Sequence, residues 1–139
     1  MPLLQTYLVE DSPVIRESLI ATLEELAPVH VVGFAEDESS AQRWLATHPV
    51  DLVIVDLFLK GGSGLGVLRT AQLAQQVQPT AQAGTSPSDS GTRHVVLSNY
   101  ATPAMRERCL FLGADGVFDK STEIDALIAY CQALAQQRA

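Results

Sequence analysis

Carboxylates, a hydroxyl and an ammonium stand at the ends of short apolar runs along this chain, and together they point to one chemistry. Glu10-Asp11 follows Thr6-Tyr7-Leu8-Val9, and Asp56 follows Leu52-Val53-Ile54-Val55. Ser98 follows His94-Val95-Val96-Leu97, and Asp119-Lys120 follows Gly116-Val117-Phe118. Carboxylates crowded at close range repel, and one takes up a proton unless a cation compensates. Hard oxygen ligands that leave room for water suit Mg²⁺, which seldom receives a complete protein cage. Lys120 would add positive charge without being a metal ligand. A divalent cation, a lysine and a hydroxyl donor would together hold a phosphoryl group, and a carboxylate at the centre could be its nucleophile. Taken singly, each residue also has an ordinary reading. Asp56 could be a loop or capping carboxylate, Glu10-Asp11 a cap for the first helix, Ser98 a turn residue and Lys120 a solvated lysine.

The chemistry requires a fold that gathers these run ends. The runs read as strands, with Val29 to Ala35 as a further one, and they alternate with longer helical patterns. The Leu52–Val55 run has no polar alternation, as expected of a strand covered on both faces in a parallel sheet. Ser12 can cap a first helix with Pro13 at its tolerated first position, and Ile15, Leu19, Leu23 and Leu26 form its apolar stripe until Pro28 stops it. A second helix spans about Glu38 to Thr47 and carries Trp44 and Leu45. Ser63 caps a third that starts with Leu65, Val67 and Leu68. Thr102-Pro103 opens a fourth, with Met105, Cys109 and Leu112 on one face and Gly113 as its stop. Thr122 with Asp125 resembles a capping box for the last, whose face repeats at Ile124, Leu127, Ile128, Cys131 and Leu134. The βαβαβαβαβα order predicts a five-stranded parallel sheet with helices on both faces. In such a sheet ligands bind beyond the carboxyl ends of the strands, where the candidate residues fall.

Composition bounds the partners. The 139 residues predict one domain with no separate output module, and 47% hydrophobic with 18% charged residues is globular. Nine Lys and Arg against sixteen Asp and Glu give a net charge of -7, which argues against direct nucleic-acid binding and against an anionic membrane surface. Cys109 and Cys131 show no ligand spacing and read as reduced, small hydrophobes. No signal peptide or membrane span is evident, so a cytoplasmic protein is expected. His30, His48 and His94 share no spacing and read as structural, and Trp44 as packing. Residues 75–92, rich in Gln, Ala, Thr, Ser, Gly and Pro, are too long for an ordinary helix-to-strand connection and predict a mobile surface insertion. It would project from the edge opposite the candidate rim.

Taken in order, several segments resemble the receiver domain of two-component response regulators over essentially the whole chain. They are Leu8-Val9-Glu10-Asp11-Ser12, Val53-Ile54-Val55-Asp56-Leu57, Gly62-Ser63-Gly64, Val96-Leu97-Ser98, and Gly113-Ala114-Asp115-Gly116 leading to Asp119-Lys120. The resemblance implies a flavodoxin/CheY-like three-layer α/β sandwich with strand order 2-1-3-4-5, and a single receiver domain over residues 1–139. It implies that Asp56 accepts a phosphoryl group from the phosphohistidine of a sensor histidine kinase or phosphotransfer protein. Glu10, Asp11, Asp56 and the backbone carbonyl of Phe58 would hold Mg²⁺. Lys120 would contact the phosphoryl oxygens, and Ser98 would bond to one of them and draw its loop inward. Helix 4, strand 5 and helix 5 would then present an altered surface to a downstream protein target, and pairing through the last helix would give a homodimer. Such a domain regulates partner affinity and is not an enzyme.

The sequence also departs from the family. Val117 stands where many receivers carry a Tyr or Phe three residues before the lysine, and Phe118, one residue on, would face the other side of the strand. Ser121 stands where a cis-proline is common, so a trans bond is expected after Lys120. Phe58 and Tyr100 are bulky at positions that flank the path of the hydrolytic water, and would slow loss of the phosphoryl group. Val117 and Ser121 also support an alternative, a pseudo-receiver acting as a phosphorylation-independent interaction module. An aspartyl-phosphate phosphatase would need a second acid shortly after the nucleophile, where Phe58 stands.

Overall fold

The computed structural model describes residues 3–57, 59, 61–77, 91–99 and 101–137, the side chains of 74–77 excepted. Phe58, Tyr100 and most of the predicted insertion, 78–90, lie outside the described residues. Among the described residues ten elements alternate strand and helix. They are β1 (Leu4–Val9), α1 (Pro13–Leu26), β2 (Val29–Ala35), α2 (Glu38–Thr47), β3 (Leu52–Val55), α3 (Gly64–Val77), β4 (Arg93–Ser98), α4 (Pro103–Phe111), β5 (Gly116–Asp119) and α5 (Ile124–Gln137). The strands form one parallel sheet in the order β2-β1-β3-β4-β5, the expected arrangement.

Strand alternation splits the core into layers. Leu8, Ile54 and Leu97 face α1 and α5, where they meet Leu23, Leu127, Cys131 and Leu134. Their neighbours Val9, Val55 and Val96 face the other way, toward α2, α3 and α4. Every residue of β3 is buried, as its unbroken apolar run predicts. Phe118 and Val117 fall on opposite faces: Phe118 packs edge-on against Tyr130 of α5, and Val117 joins the α3–α4 layer. Both cysteines are buried and free, Cys109 in one layer and Cys131 in the other. Tyr7, Trp44 and His48 stack in series at 4.2 Å between ring centroids, which assigns Trp44 and His48 to packing. His94 is buried, with its amide donating to the Asp115 carboxylate.

The helix starts follow local chemistry. The Ser12 hydroxyl accepts from the Ile15 amide with Pro13 in the first turn, and Thr102 does the same for Met105 ahead of Pro103. The Ser63 hydroxyl accepts from the Leu65 amide at the start of α3. Gly113 ends α4 with φ of +100°, the left-handed turn that glycine tolerates.

Two local expectations are corrected. Ile15 and Leu26 are exposed, and the buried face of α1 runs through Arg16, Leu23 and Ala27, with Leu19 and Ile20 partly covered. The start of α5 does not use a Thr122–Asp125 box. The Asp119 carboxylate accepts from the Ser121 and Thr122 amides, and Glu123, just ahead of the helix, reaches back to the Asp119 amide. Position 119 therefore turns its charge into the β5–α5 connection. Among the described residues there is no cis peptide bond.

Candidate functional site

The carboxyl ends of β1 and β3 are adjacent because β1 pairs directly with β3, Val9 opposite Val55. The next residues, Glu10 and Asp56, are thus delivered side by side, and the Asp56 amide is fixed by the Val9 carbonyl at 2.9 Å. Ligand oxygens of Glu10, Asp11 and Asp56 all lie within 4.8 Å of one another. Glu10 and Asp56 are buried at 1% and 8% exposure, and Asp11 is half-buried toward solvent. One Glu10 oxygen accepts from the Ser12 amide at 3.2 Å, which leads the chain into α1.

Lys120 enters from the other side. β5 pairs with β4, Asp119 opposite Ser98, and the Lys120 amide donates to the Ser98 carbonyl at 3.0 Å. Its Nζ donates to Glu10 Oε1 at 2.5 Å and to Asp56 Oδ2 at 3.0 Å. Burial is the largest single influence on this ammonium and works to lower its pKa. The hydrogen bonds and charges of Glu10 and Asp56 outweigh it and hold the group above the ordinary lysine range. Ser98 is fully buried at the end of β4.

Four of the residues singled out in the sequence therefore meet: Glu10, Asp11, Asp56 and Lys120. Asp119 does not join them, and the Phe58 carbonyl lies outside the described residues. Among the described residues three carboxylates meet one ammonium, and the cluster could hold a metal ion.

Several supporting residues escape a motif search. Arg16 is buried, its Nη1 donating to the Glu10 carbonyl at 3.2 Å and to Glu36 at 3.1 Å, with the guanidinium 4.0 Å from the Phe34 ring centroid. Its signal was its position, on the same helical face as Ile20, Leu23 and Ala27. Glu38 accepts from the Ser63 amide at 2.8 Å, which ties the start of α2 to the β3–α3 connection behind Asp56. Gly64 meets the backbone of Asp56 closely: a Cβ there would stand 2.2 Å from the Asp56 carbonyl oxygen. Arg106 of α4 spans three segments, and no sequence pattern singles it out.

A doubly wound parallel sheet with an acidic cluster and a lysine at its carboxyl rim defines the class of open α/β folds whose ligand site lies beyond the strands' carboxyl ends. The family model for the response regulator receiver domain matches residues 6–132, and the chain belongs to that family, the receiver domains of two-component response regulators. It is 26% identical over 118 residues to the Fimbriae Z protein of Salmonella typhimurium, which covers 85% of this chain and 50% of that protein. The chain thus spans half the length of that relative. The receiver domain of Francisella response regulator 1452 superposes with a TM-score of 0.76 at 18% identity, covering 98% of this chain and 99% of that one. A Burkholderia pseudomallei response regulator, solved with a phosphorylated aspartic acid, calcium ion and citrate, gives 0.68 at 24% identity over 96% of this chain and 69% of that one. Among the described residues no helix is long and apolar enough to cross a membrane.

Proposed function

We propose that Asp56 is the phosphoacceptor of this receiver and that its modification controls the affinity of the α4–β5–α5 face for a downstream protein. The observation that carries the reading is the Lys120 ammonium bonded to both Glu10 and Asp56 inside a three-carboxylate cluster. All the donors of that cluster are hard oxygens, one of them half-open to solvent, a set that fits Mg²⁺ with its retained waters. Glu10, Asp11 and Asp56 would hold the ion, with the Phe58 carbonyl as a further candidate. When bound, Mg²⁺ neutralises developing charge on the phosphoryl oxygens.

The chain's own groups do the rest. A carboxylate oxygen of Asp56 attacks phosphorus and forms a P–O bond as the P–N bond to the donor histidine breaks. The electron pair stays on the histidine nitrogen. Lys120, already paired with Asp56, follows the charge onto the transferred group. The buried Ser98 hydroxyl, at the end of the strand beside β3, is the candidate donor to a phosphoryl oxygen. The Burkholderia neighbour of the same fold was solved with a phosphorylated aspartic acid and a calcium ion, which supports this assignment.

A sensor histidine kinase or a phosphotransfer protein is the proposed donor. We further propose a single domain over 1–139 with an insertion at about 75–92, acting in the cytoplasm without direct nucleic-acid or membrane contact and without enzymatic turnover of its own. The described flank of that insertion supports its placement away from the rim: Thr92 donates to the Val50 carbonyl, at the opposite end of β3 from Asp56.

Val117 at the usual aromatic position favours a second reading, a pseudo-receiver that binds partners regardless of phosphorylation. Incubation with a small phosphodonor and Mg²⁺, followed by intact mass, separates the two. One added phosphoryl group that is lost in Asp56→Asn and in chelator supports the phosphoacceptor. No adduct on the wild-type chain favours the pseudo-receiver.

A further inference from the structure

Arg106 makes three side-chain hydrogen bonds to three separate segments outside the acidic site. Its Nε donates to the Ala101 carbonyl at 2.8 Å, its Nη1 to the Val117 carbonyl at 3.0 Å and its Nη2 to Glu123 Oε1 at 2.5 Å. The same Glu123 oxygen accepts from the Asp119 amide at 2.9 Å. One guanidinium therefore joins the segment after Ser98, the body of β5 and the start of α5. Both ends of this network adjoin the acidic site. Ala101 lies three residues past Ser98, and Asp119 precedes Lys120, whose amide is bonded to the Ser98 carbonyl.

Arginine suits this task because its planar fork donates in several fixed directions at once, which a lysine cannot do. The buried Val117 side chain has no polar group and little reach. It packs in the α3–α4 layer, and the Val117 backbone carbonyl adds the polar link from β5 to α4.

We propose that Arg106 is a positioning residue that latches Ala101, β5 and α5 together in the resting state, and that phosphoryl capture at Asp56 works against this latch. The inference rests on the phosphoacceptor reading. Movement of the Ser98 end toward a phosphoryl oxygen carries Ala101 with it and stretches the Nε bond. Loss of that bond frees the guanidinium and, through Glu123, the start of α5. Site and output face are then coupled, and binding at the site is weakened by whatever the latch contributes to the resting state.

The test uses the full chain with Mg²⁺ and beryllium fluoride, the uptake being followed by ¹⁹F NMR in wild type, Arg106→Ala and Glu123→Gln. Glu123→Gln keeps the side-chain length and an acceptor for the Asp119 amide while taking the charge out of the Arg106 bond, so it weakens the latch and serves if Arg106→Ala fails to fold. With the latch removed, the apparent affinity for the mimic should rise about three- to tenfold, the scale for one part-exposed charge-assisted bond network. Amide exchange in α4 and β5 of the unliganded variants should also approach that of the mimic-bound wild type. A merely structural role for Arg106 would weaken binding. Affinity that falls, or stays within about twofold in both variants, would overturn the latch while leaving the phosphoacceptor intact. No uptake by the wild type would instead remove the phosphoacceptor reading on which it rests.

Discussion

Replacing Lys120 by Met keeps most of the stem's packing and removes the ammonium bonded to Glu10 and Asp56. At an effective dielectric near 20, the 3.0 Å pair with Asp56 contributes a gross attraction of about 5.5 kcal/mol. The pair with Glu10 adds a term of the same order. Against these stands the cost of burying an ammonium, several kcal/mol. Removing one partner of a buried pair typically costs about 3–5 kcal/mol, because the remaining charge is left uncompensated. The Lys120 side chain is 11% exposed, so solvent relieves little of that cost, and the nearby Asp11 carboxylate adds like-charge repulsion. The expected loss is therefore at least about 3 kcal/mol at pH 7.

Urea denaturation in chelator reads this directly. With a slope of about 2 kcal/mol/M, the midpoint should fall by at least roughly 1.5 M. Mg²⁺ should then recover most of the loss, since a ligand at about a hundredfold over its dissociation constant contributes about 2.7 kcal/mol. The wild-type midpoint should move less, because there the ion shares its oxygens with Lys120. If wild type and Lys120→Met unfold within about 0.3 M of each other in chelator, or Mg²⁺ shifts both equally, the compensation argument fails.

Other consequences follow from individual residues. His94 is held below the ordinary histidine value by burial, with Asp115 opposing. Below about pH 6.5 the unfolded chain therefore binds more protons there than the folded one, and stability should fall as pH drops. In His94→Gln the decline between about pH 6.5 and pH 5 should flatten; an unchanged decline would assign it elsewhere. A Cβ at position 64 would also stand 2.7 Å from Val55 Cγ1, besides its clash with the Asp56 carbonyl, so Gly64→Ala must displace α3 or the Asp56 backbone. It should lose about 2 kcal/mol in denaturant and weaken Mg²⁺ binding, and an unchanged midpoint would contradict the close approach.

The parallel sheet was legible in the alternation of the runs, and its order only through the family resemblance. The four meeting residues were legible because a parallel sheet puts chemistry at its strand ends, where a reader can look. Glu10 and Asp56 each follow an apolar run, and pairing of β1 with β3 then leaves them nowhere to go but side by side. Asp119 obeyed the same pattern and misled, because its carboxylate can satisfy the Ser121 and Thr122 amides in the turn it begins. Arg16 was legible only as a charge on a core face. Arg106 and Glu123 were not legible, since apart from their mutual pair, seventeen residues apart in the chain, their bonds run to backbone carbonyls and amides, which carry no side-chain signature. The Ile15 and Leu26 error has a similar source: a helix in a three-layer fold buries a narrow stripe, and apolar residues at its margins stay exposed.

The central claim is that Asp56 itself carries the phosphoryl group. Borohydride reduces an acyl phosphate to the alcohol, so treatment of the chain after incubation with phosphodonor and Mg²⁺ should leave homoserine at position 56 in a peptide map. Homoserine at 56, absent when donor or Mg²⁺ is withheld, is the predicted result. Homoserine at another carboxylate, or none at any, would contradict the account.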